Sequence, residues 1–320
     1  MRFLITGGAG FIGSHLSDLL IEHGHHVHVL DDLSTARPQN IRQLEGHPDF
    51  ECTIASVADE SVLPDLVADA DTVVHLAAAV GVRLVVDSPV RAIETNVHCT
   101  EVVLAQADRH RKPVMIASTS EVYGKSDALP FKEDGDLQIG ATDKARWAYA
   151  CSKAIDEFLA MAYWRERELP ITVVRLFNTV GPRQTGRYGM VVPRLVGQAL
   201  EGEPLTVYGD GTQTRCFCHV ADVVQALLGL INEPRSYGNV FNVGATEEVS
   251  ILELARRIID VTGSLSEIGF TPYDTAYGKG FEDMYRRVPD IAKVRASIGW
   301  SPTRSLEDMI RDVAEHQRAS

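Results

Sequence analysis

The sequence predicts a doubly wound α/β protein with a parallel central sheet, on the basis of three features of its 320 residues. Short, continuously apolar runs alternate with helix-length segments, as strands do when helices cover both faces of a sheet. A glycine-rich turn directly follows the first run, and an acidic pair ends the second. After residue 177 the alternation weakens and Gly/Pro-rich loops separate shorter elements, which predicts a smaller lobe interleaved with the sheet region.

Six apolar runs in the first half are predicted strands, at residues 2–6, 26–31, 50–54, 72–76, 114–118 and 171–177. Two later runs, 215–219 and 240–243, are separated by a helical pattern over 220–231 and are expected to rejoin the sheet. We therefore expect a first domain over residues 1–177 that 212–244 rejoins. The smaller lobe is expected to consist of residues 178–211 and 245–320.

Charge and cysteine usage exclude several classes of protein. With 44 acidic and 31 basic side chains the net charge is −13, which disfavours binding to nucleic acid or an anionic membrane surface. No apolar run reaches the roughly 18 to 20 residues that span a bilayer. The five cysteines are scattered and no secretory signal precedes the first strand, so we expect a cytoplasmic protein. Cys216, Cys218 and His219 lack a second ligand cluster with zinc spacing, so no metal is expected.

The glycine turn after the first strand predicts a dinucleotide site of the Rossmann type. Its glycines are Gly7, Gly10 and Gly13, and a helical pattern over 14–23 follows. Residues without Cβ let backbone N–H groups and a helix N-terminus approach a pyrophosphate. The second strand ends in Asp31 and Asp32, where a carboxylate can bind ribose hydroxyls and repel a 2′-phosphate, which favours NAD over NADP. The alternative is a turn that merely packs a helix on a sheet.

A second group of residues predicts alcohol oxidation. Tyr149 and Lys153 lie four residues apart on a helical pattern, so they share one helix face. A lysine ammonium there is expected to lower the phenol pKa and make phenolate available as a base near neutral pH. The strand 114–118 runs into three polar residues at its carboxyl end, where open α/β sheets bind ligands. The predicted catalytic residues are Thr119, Ser120, Glu121, Tyr149 and Lys153.

These motifs resemble the extended short-chain dehydrogenase/reductases, specifically the NDP-sugar epimerase/dehydratase family, over nearly the whole chain. The resemblance includes residues 75–78, 95–97, 175–178, 181–183 and 207–211. It implies NAD as cofactor, a nucleotide sugar, expected to be a UDP-sugar, as substrate, and a homodimer formed through helices at 89–111 and 146–168. The expected cofactor-binding residues are Gly7, Gly10, Phe11, Ile12, Gly13, Asp31, Asp32, Leu76, Ala77, Ala78, Asn96, Ser118, Tyr149 and Lys153. The expected substrate-binding residues are Val80, Asn178, Arg183, Arg187, Val192, Arg215 and Arg287.

The resemblance leaves the reaction open between three classes, because a ketone at C4 of the sugar permits epimerisation, dehydration or decarboxylation. Glu121 could serve as the base that removes a proton beside the ketone. The familiar 4,6-dehydratases carry Thr-Asp-Glu where this chain has Thr119-Ser120-Glu121. The acid that helps water leave is therefore missing, which argues against ordinary 4,6-dehydration.

Two subfamilies are similar to the chain in different ways. Thr-Ser-Glu, Arg146-Trp147 and the segment 277–283 leading to Arg287 resemble bacterial UDP-glucuronic acid decarboxylases, in which the matching arginine is a catalytic cation. Overall sequence and size resemble the UDP-N-acetylglucosamine 5,6-dehydratases of tunicamycin biosynthesis, an antibiotic pathway. We expect 5,6-dehydration of UDP-N-acetylglucosamine, with decarboxylation of UDP-glucuronic acid or 4-epimerisation as alternatives. A noncatalytic NAD- or nucleotide-sensing protein is the alternative from another class, and the Tyr149/Lys153 pair argues against it.

Overall fold

The computed structural model describes residues 1–81, 88–186, 190–277 and 282–319. Its strands are β1 (Arg2–Thr6), β2 (His26–Asp31), β3 (Phe50–Ile54), β4 (Thr72–His75), β5 (Val114–Thr119), β6 (Ile171–Leu176), β7 (Thr179–Val180), β8 (Leu205–Tyr208), β9 (Thr214–Cys216), β10 (Cys218–His219), β11 (Asn239–Val243), β12 (Glu248–Ser250) and β13 (Ile268–Thr271). Its helices are α1 (Phe11–Glu22), α2 (Leu63–Asp69), α3 (Pro89–His110), α4 (Arg146–Arg167), α5 (Val191–Glu201), α6 (Val220–Ile231), α7 (Ile251–Thr262), α8 (Tyr273–Tyr277), α9 (Ala292–Ile298) and α10 (Leu306–Ala319). Short 3₁₀ helices cover Pro38–Leu44, Ser120–Tyr123 and Pro234–Ser236.

Seven strands form one parallel sheet in the order β11-β6-β5-β4-β1-β2-β3. The predicted doubly wound α/β fold is therefore confirmed, and each of the six strands predicted in the first half is present. The strand order reverses between β1 and β4, where such sheets form a crevice at their carboxyl edge. The glycine turn after β1 and the loop after β4 both open into that crevice.

The segment 215–219 departs from its prediction, because it does not join the large sheet. It is divided into β9 and β10, which pair with β12 and β7 in separate two-stranded sheets. Between them Phe217 is buried in an apolar cluster of the lobe, while the amide of Cys218 donates to the carbonyl of Asn178 at 3.1 Å. The chain therefore crosses from the lobe to the end of β6 at this point. The later run at 240–243 does join the sheet, as part of β11 beside β6.

Helices cover both faces of the sheet, as the continuously apolar strands require. Phe3 and Ile5 of β1 face one way and pack in a cluster that includes residues of α1 and α6, while Leu4 faces the opposite cluster, formed with α2, α3 and α4. This alternation buries successive residues of the same strand on both faces, which is why the middle of β1, residues 3–5, has no polar positions.

A third apolar cluster holds the smaller lobe together. It joins β8 to helices α5, α7 and α10 through side chains such as Leu195, Leu254, Ile258 and Ile310. The boundaries proposed at 177/178, 211/212 and 244/245 stay predictions. Within the described part of the chain, none of the helices combines the length and the apolar character that crossing a membrane demands.

Candidate active site at the carboxyl edge of the sheet

A cavity of about 1390 Å³ lies at the carboxyl edge of the sheet and extends to the smaller lobe. Sites for drug-sized ligands measure roughly 300 to 1000 Å³, so this cavity is large enough for two ligands side by side. The glycine turn, Asp31 and Asp32 line one part of it. Glu121, Tyr149 and Arg287 line another part, so the predicted cofactor and catalytic groups share one space.

The glycine turn is shaped for close approach by a ligand and by its own neighbours. Gly7 has φ of +73°, and a Cβ there would lie 2.7 Å from the amide nitrogen of Ala77. Gly10 precedes the first residue of α1, and Phe11, Ile12 and Gly13 of its first turn also line the cavity. The N-terminus of this helix therefore lies at the cavity, and helix N-termini suit a pyrophosphate.

Two carboxylates follow the turn at the end of β2. Asp31 is buried and accepts hydrogen bonds from the amides of Ala9 (3.0 Å) and Leu33 (2.8 Å), so it also ties the glycine turn to β2. Burial raises the pKa of Asp31, and the amide donors oppose that shift. Asp32 is exposed and accepts from the amide of Ser34 at 2.9 Å. The turn, the helix N-terminus and these carboxylates fit a dinucleotide.

Asn96 occupies a different place from the other predicted cofactor contacts near β4. Leu76, Ala77 and Ala78 line the cavity as expected, but Asn96 is buried behind them and is not part of the described lining. Its Oδ1 accepts from the amide of Ala79 at 2.7 Å, and its Nδ2 donates to Ser152 Oγ at 3.1 Å. Asn96 therefore holds the loop after β4 against α4, and positions the cofactor site without lining it.

Tyr149 and Lys153 lie on α4, are buried and line the cavity, as predicted. Lys153 Nζ donates to Asp156 Oδ2 at 2.8 Å, so its charge is matched by a buried carboxylate. The expectation that Lys153 lowers the phenol pKa is not met here. Burial, then the negative charges of Glu121 and Asp156, raise the pKa of Tyr149, against the opposing effects of a Thr119 hydrogen bond and the Arg146 charge.

Glu121 is held between two arginines. Its Oε2 accepts a hydrogen bond from Arg146 and its Oε1 lies 3.3 Å from Nη1 of Arg287. Burial opposes ionisation of Glu121, but the charges of Arg146 and Arg287 outweigh it and lower the pKa to about 2. Glu121 is therefore ionised at neutral pH and is a weak base.

A third arginine and a second acid extend this cluster. Arg215 Nη2 lies 2.7 Å from Asp283 Oδ2, and Arg146 Nη2 lies 3.7 Å from Asp283 Oδ1. Together with Arg287 and Glu121, three guanidinium groups face two carboxylates among the described residues, so this described part of the cluster carries an excess positive charge in an acidic protein. Burial lowers the pKa of Arg287 to about 10, helped by the Arg215 charge, which still leaves it cationic at neutral pH.

Arg146 and Asp283 were not among the predicted site residues. Arg146 precedes Tyr149 by three positions on α4, so helical spacing from the predicted base was a signal that could have found it. Asp283 gave no such local signal, because only the folded lobe brings it to α4.

The remaining predicted residues occupy different environments. Val80, Asn178 and Val192 line the cavity, and Asn178 Nδ2 donates to the carbonyl of Cys216 at 3.0 Å. Arg183 also lines it, with its Nη2 2.7 Å from Asp18 Oδ2 on α1. Arg187 and residues 278–281 lie outside the described residues. Thr119, Ser120 and Ser118 line the cavity, and Ser118 Oγ donates to the carboxylate of Glu157.

The family model described as GDP-mannose 4,6 dehydratase matches residues 4–313 of this chain. The chain belongs to this family. Over 98% of its length it is 40% identical to the UDP-N-acetyl-alpha-D-glucosaminuronate decarboxylase of Bacillus cytotoxicus, of which it covers 97%. It is 36% identical to UDP-glucuronic acid decarboxylase 1 of Xenopus tropicalis, over 99% of this chain and 72% of that protein.

Solved structures of the family superpose closely on the fold. The UDP-glucuronic acid 4-epimerase of Bacillus cereus, in complex with UDP-glucuronic acid and NAD, has a TM-score of 0.89 at 28% identity, covering 100% of this chain and 99% of that one. The dTDP-glucose 4,6-dehydratase of Bacillus anthracis, in complex with NAD, has a TM-score of 0.87 at 25% identity, covering 100% and 97%. The predicted extended short-chain dehydrogenase/reductase class, its enzymatic nature and NAD as cofactor are confirmed by these relatives.

Proposed function

We propose that the chain decarboxylates a UDP-hexuronic acid through a transient 4-ketone, in place of the 5,6-dehydration that the sequence favoured. The observation that carries this proposal is the position of Glu121 between Arg146 and Arg287. The position of Glu121 matters because dehydration and decarboxylation differ in two requirements. Dehydration needs a base at C5, and decarboxylation needs a binding site for a C6 carboxylate.

Dehydration requires a base at C5 and an acid at the C6 hydroxyl. A carboxylate with a pKa of about 2 takes up a proton reluctantly and has none to give at neutral pH. Ser120 is buried and is a weak acid as an alcohol. Glu121 and Ser120 therefore offer only a weak base and a weak acid for the loss of water.

Decarboxylation makes a different demand, because the bond that breaks at C5 leads to the carboxylate and no C5 proton is removed. The substrate adds a negative charge that must be bound. In the described part of the chain, Arg146, Arg215 and Arg287 face two carboxylates, and arginine pairs well with carboxylates in two-point contacts. A C6 carboxylate would therefore complete the charge balance of the cluster.

The chain's own residues supply the remaining steps. NAD supplies reversible hydride acceptance at C4 when it is bound. Tyr149, whose pKa burial raises and the Thr119 hydroxyl lowers, takes the proton of the C4 hydroxyl as its phenolate and later returns it. Once C4 is a ketone, the C6 carboxylate belongs to a β-keto acid, so carbon dioxide leaves and its electrons pass to the C4 oxygen. The Tyr149 and Thr119 hydroxyls stabilise that enolate until C5 is protonated.

The relatives support the same class and differ at one position of the sugar. Their names specify a glucuronate and an N-acetylglucosaminuronate, which differ in the C2 substituent. Identity (40% against 36%) and the covered share of the relative's own length (97% against 72%) are both higher for the N-acetylglucosaminuronate enzyme. UDP-N-acetylglucosaminuronic acid is therefore the first substrate to test.

The deciding experiment incubates purified protein separately with UDP-N-acetylglucosaminuronic acid, UDP-glucuronic acid and UDP-N-acetylglucosamine, and follows products by mass spectrometry and proton NMR. The proposal expects loss of carbon dioxide from a uronate and no net NADH accumulation. Loss of water from UDP-N-acetylglucosamine with new vinyl signals would overturn it in favour of the 5,6-dehydratase. A mass-neutral change of a uronate would indicate a 4-epimerase.

We also propose that the chain forms a homodimer through α3 and α4. These helices pack on each other, yet both carry exposed apolar side chains, with Val90 and Phe158 exposed to 66% and 71%. Ile93 and Ile155 are exposed as well. Light scattering during size-exclusion chromatography should give about twice the 35.1 kDa mass of the chain, and Phe158→Glu should reduce it to one copy. A monomeric native protein would contradict the proposal.

A further inference from the structure

Asp156 places a fully buried carboxylate directly behind the predicted catalytic pair. It follows Lys153 by three positions on α4, so the two side chains share a helix face. Asp156 Oδ2 accepts from Lys153 Nζ at 2.8 Å, with side-chain exposures of 0% for the acid and 3% for the lysine. Such a contact restricts where the ammonium group can lie beside Tyr149.

Polar side chains from neighbouring elements support this carboxylate from behind. Against the larger raising effect of burial, the Thr100 hydroxyl of α3 is near enough to lower the pKa of Asp156. Thr100 Oγ1 lies 3.2 Å from Nε2 of His75, whose Nδ1 lies 2.7 Å from Thr6 Oγ1 at the end of β1. Burial, with a smaller contribution from the Lys153 charge, lowers the pKa of His75 to about 3, so this ring is neutral at working pH. Asp156 therefore sits in a built polar site.

The charge of Asp156 also acts on Tyr149. A negative charge disfavours the phenolate, and Asp156 opposes the effect that Lys153 would have alone. Other ionisable or hydrogen-bonding groups face Tyr149 or Asp156 from α3, α4, β4 and the end of β5. Among the described residues they are Cys99, Thr100, Arg146, Lys153, Glu157, His75, Thr119 and Glu121. Lys153 donates to Asp156, whereas the described hydrogen bonds of the two carboxylates in that set, Glu121 and Glu157, go to other residues.

We propose that Asp156 is a positioning residue for the Tyr149/Lys153 pair, which fixes Lys153 Nζ, partly cancels its charge at Tyr149 and so sets the pH range in which Tyr149 acts as base. No bond of the substrate is made or broken by Asp156. Its carboxylate moves deprotonation of the phenol to higher pH. Once formed, the Tyr149 phenolate accepts the C4 hydroxyl proton, and the phenol can return that proton to the product.

The first test is the pH profile of kcat for Asp156→Asn. The variant keeps the size of the side chain and removes its charge, so the phenolate becomes easier to form. The acidic limb, along which activity rises as Tyr149 loses its proton, should move to lower pH by about one unit or more. Glu166→Gln removes one charge from an exposed position near the end of the same helix, and should leave the limb in place.

The second test reads the phenol directly and does not depend on the reaction. Tyrosinate absorbance is titrated in the NAD-loaded protein without sugar, and the curve of the Tyr149→Phe variant is subtracted to isolate Tyr149. Asp156→Asn should lower the midpoint by the same amount as in the kinetic profile. Asp156→Glu, which restores the charge, should move it back towards the native value.

The two readouts separate failure of this inference from failure of the proposed function. The kinetic readout rests on the proposed decarboxylation, whereas the absorbance readout does not. An unchanged absorbance midpoint in a folded, NAD-loaded Asp156→Asn protein would overturn the positioning role, whatever substrate the enzyme uses. If that variant does not fold, Asp156→Ser removes the charge while keeping an acceptor for Lys153, and carries the same expectation.

Discussion

Arg287 Nη1 lies 3.3 Å from Glu121 Oε1, although the two residues are 166 positions apart in the chain. Glu121 follows the carboxyl end of β5, and Arg287 belongs to the segment after α8. The ion pair therefore joins the sheet to the lobe within the candidate active site. Because the pair is buried, loss of either member leaves an uncompensated charge as well as an incomplete site.

Replacing Arg287 should impair both catalysis and stability. We expect Arg287→Ala to reduce kcat/KM for the uronate roughly 30- to 5,000-fold, because a buried charge pair that loses one member costs about 2 to 5 kcal/mol. Steady-state kinetics and thermal unfolding measure the two effects. Arg286→Ala is the matched control, since that neighbour pairs with Glu248 and has a half-exposed side chain. Equal kinetic losses in the two variants would contradict a role for Arg287 at the substrate.

The low pKa of Glu121 predicts how its contribution to stability depends on pH. A carboxyl group whose pKa is ordinarily near 4.5, and whose pKa falls to about 2 in the folded state, stabilises the protein above pH 4.5. That contribution, on the order of 3 kcal/mol, is lost as the pH falls through the folded-state value. The free energy of unfolding of Glu121→Gln should therefore lie below the native value at pH 7, and the gap should narrow below pH 4.5.

Chemical denaturation at pH 7, 5 and 3.5 measures that gap. The exposed Glu203 provides the control, because a surface substitution such as Glu203→Gln should change the free energy of unfolding by less than about 0.5 kcal/mol at each pH. A gap for Glu121→Gln that stays constant from pH 7 to 3.5 would show that its cause is packing and not charge.

Local patterns made much of the site predictable, and long-range contacts account for what was missed. The glycine turn at Gly7, Gly10 and Gly13 directly follows a strand, and Tyr149 and Lys153 are one helical turn apart. Sequence spacing was therefore sufficient to place both groups on their structural elements. The predicted cofactor contact of Asn96 stays a prediction, and its hydrogen bonds to the loop after β4 could not be foreseen because they exist only in the folded chain.

The charge state of the site was the least predictable feature. Sequence spacing gave the Tyr149/Lys153 pair, but the pKa of Tyr149 depends on burial and on Glu121, which reaches it from another element. The role of Glu121 likewise changed once Arg146 and Arg287 were known to hold it. Such pKa values depend on distances between residues that are far apart in the sequence, and a local sequence pattern does not contain those distances.

Tyr149→Phe tests the predicted base. Removing the hydroxyl takes away the group that accepts the C4 proton, so kcat should fall roughly 100- to 10,000-fold. Binding of the nucleotide sugar, measured by calorimetry, should change far less, because the ring keeps its packing. Tyr163→Phe removes a hydroxyl from a partly buried position of the same helix and should retain native kcat. Comparable losses of kcat in both variants would assign the effect to α4 in general.

Gly7→Ala tests the close approach in the glycine turn, and Gly24→Ala separates that effect from backbone strain. Both glycines have φ near +75°, at +73° and +75°, where an alanine costs about 1 to 2 kcal/mol. Only at Gly7 would the new Cβ also meet backbone, 2.7 Å from the Ala77 amide nitrogen, whereas nothing described lies within 4 Å of the one at Gly24.

Gly7→Ala should therefore lose copurifying NAD, because relieving the contact must move either the turn or the loop after β4, and both line the cofactor part of the cavity. Gly24→Ala should lose some stability and keep its NAD. The NAD content of each purified protein, measured from absorbance after denaturation, gives the comparison. If both variants lose NAD equally, backbone strain alone explains the loss. The close approach of Gly7 to Ala77 would then not be required for NAD binding.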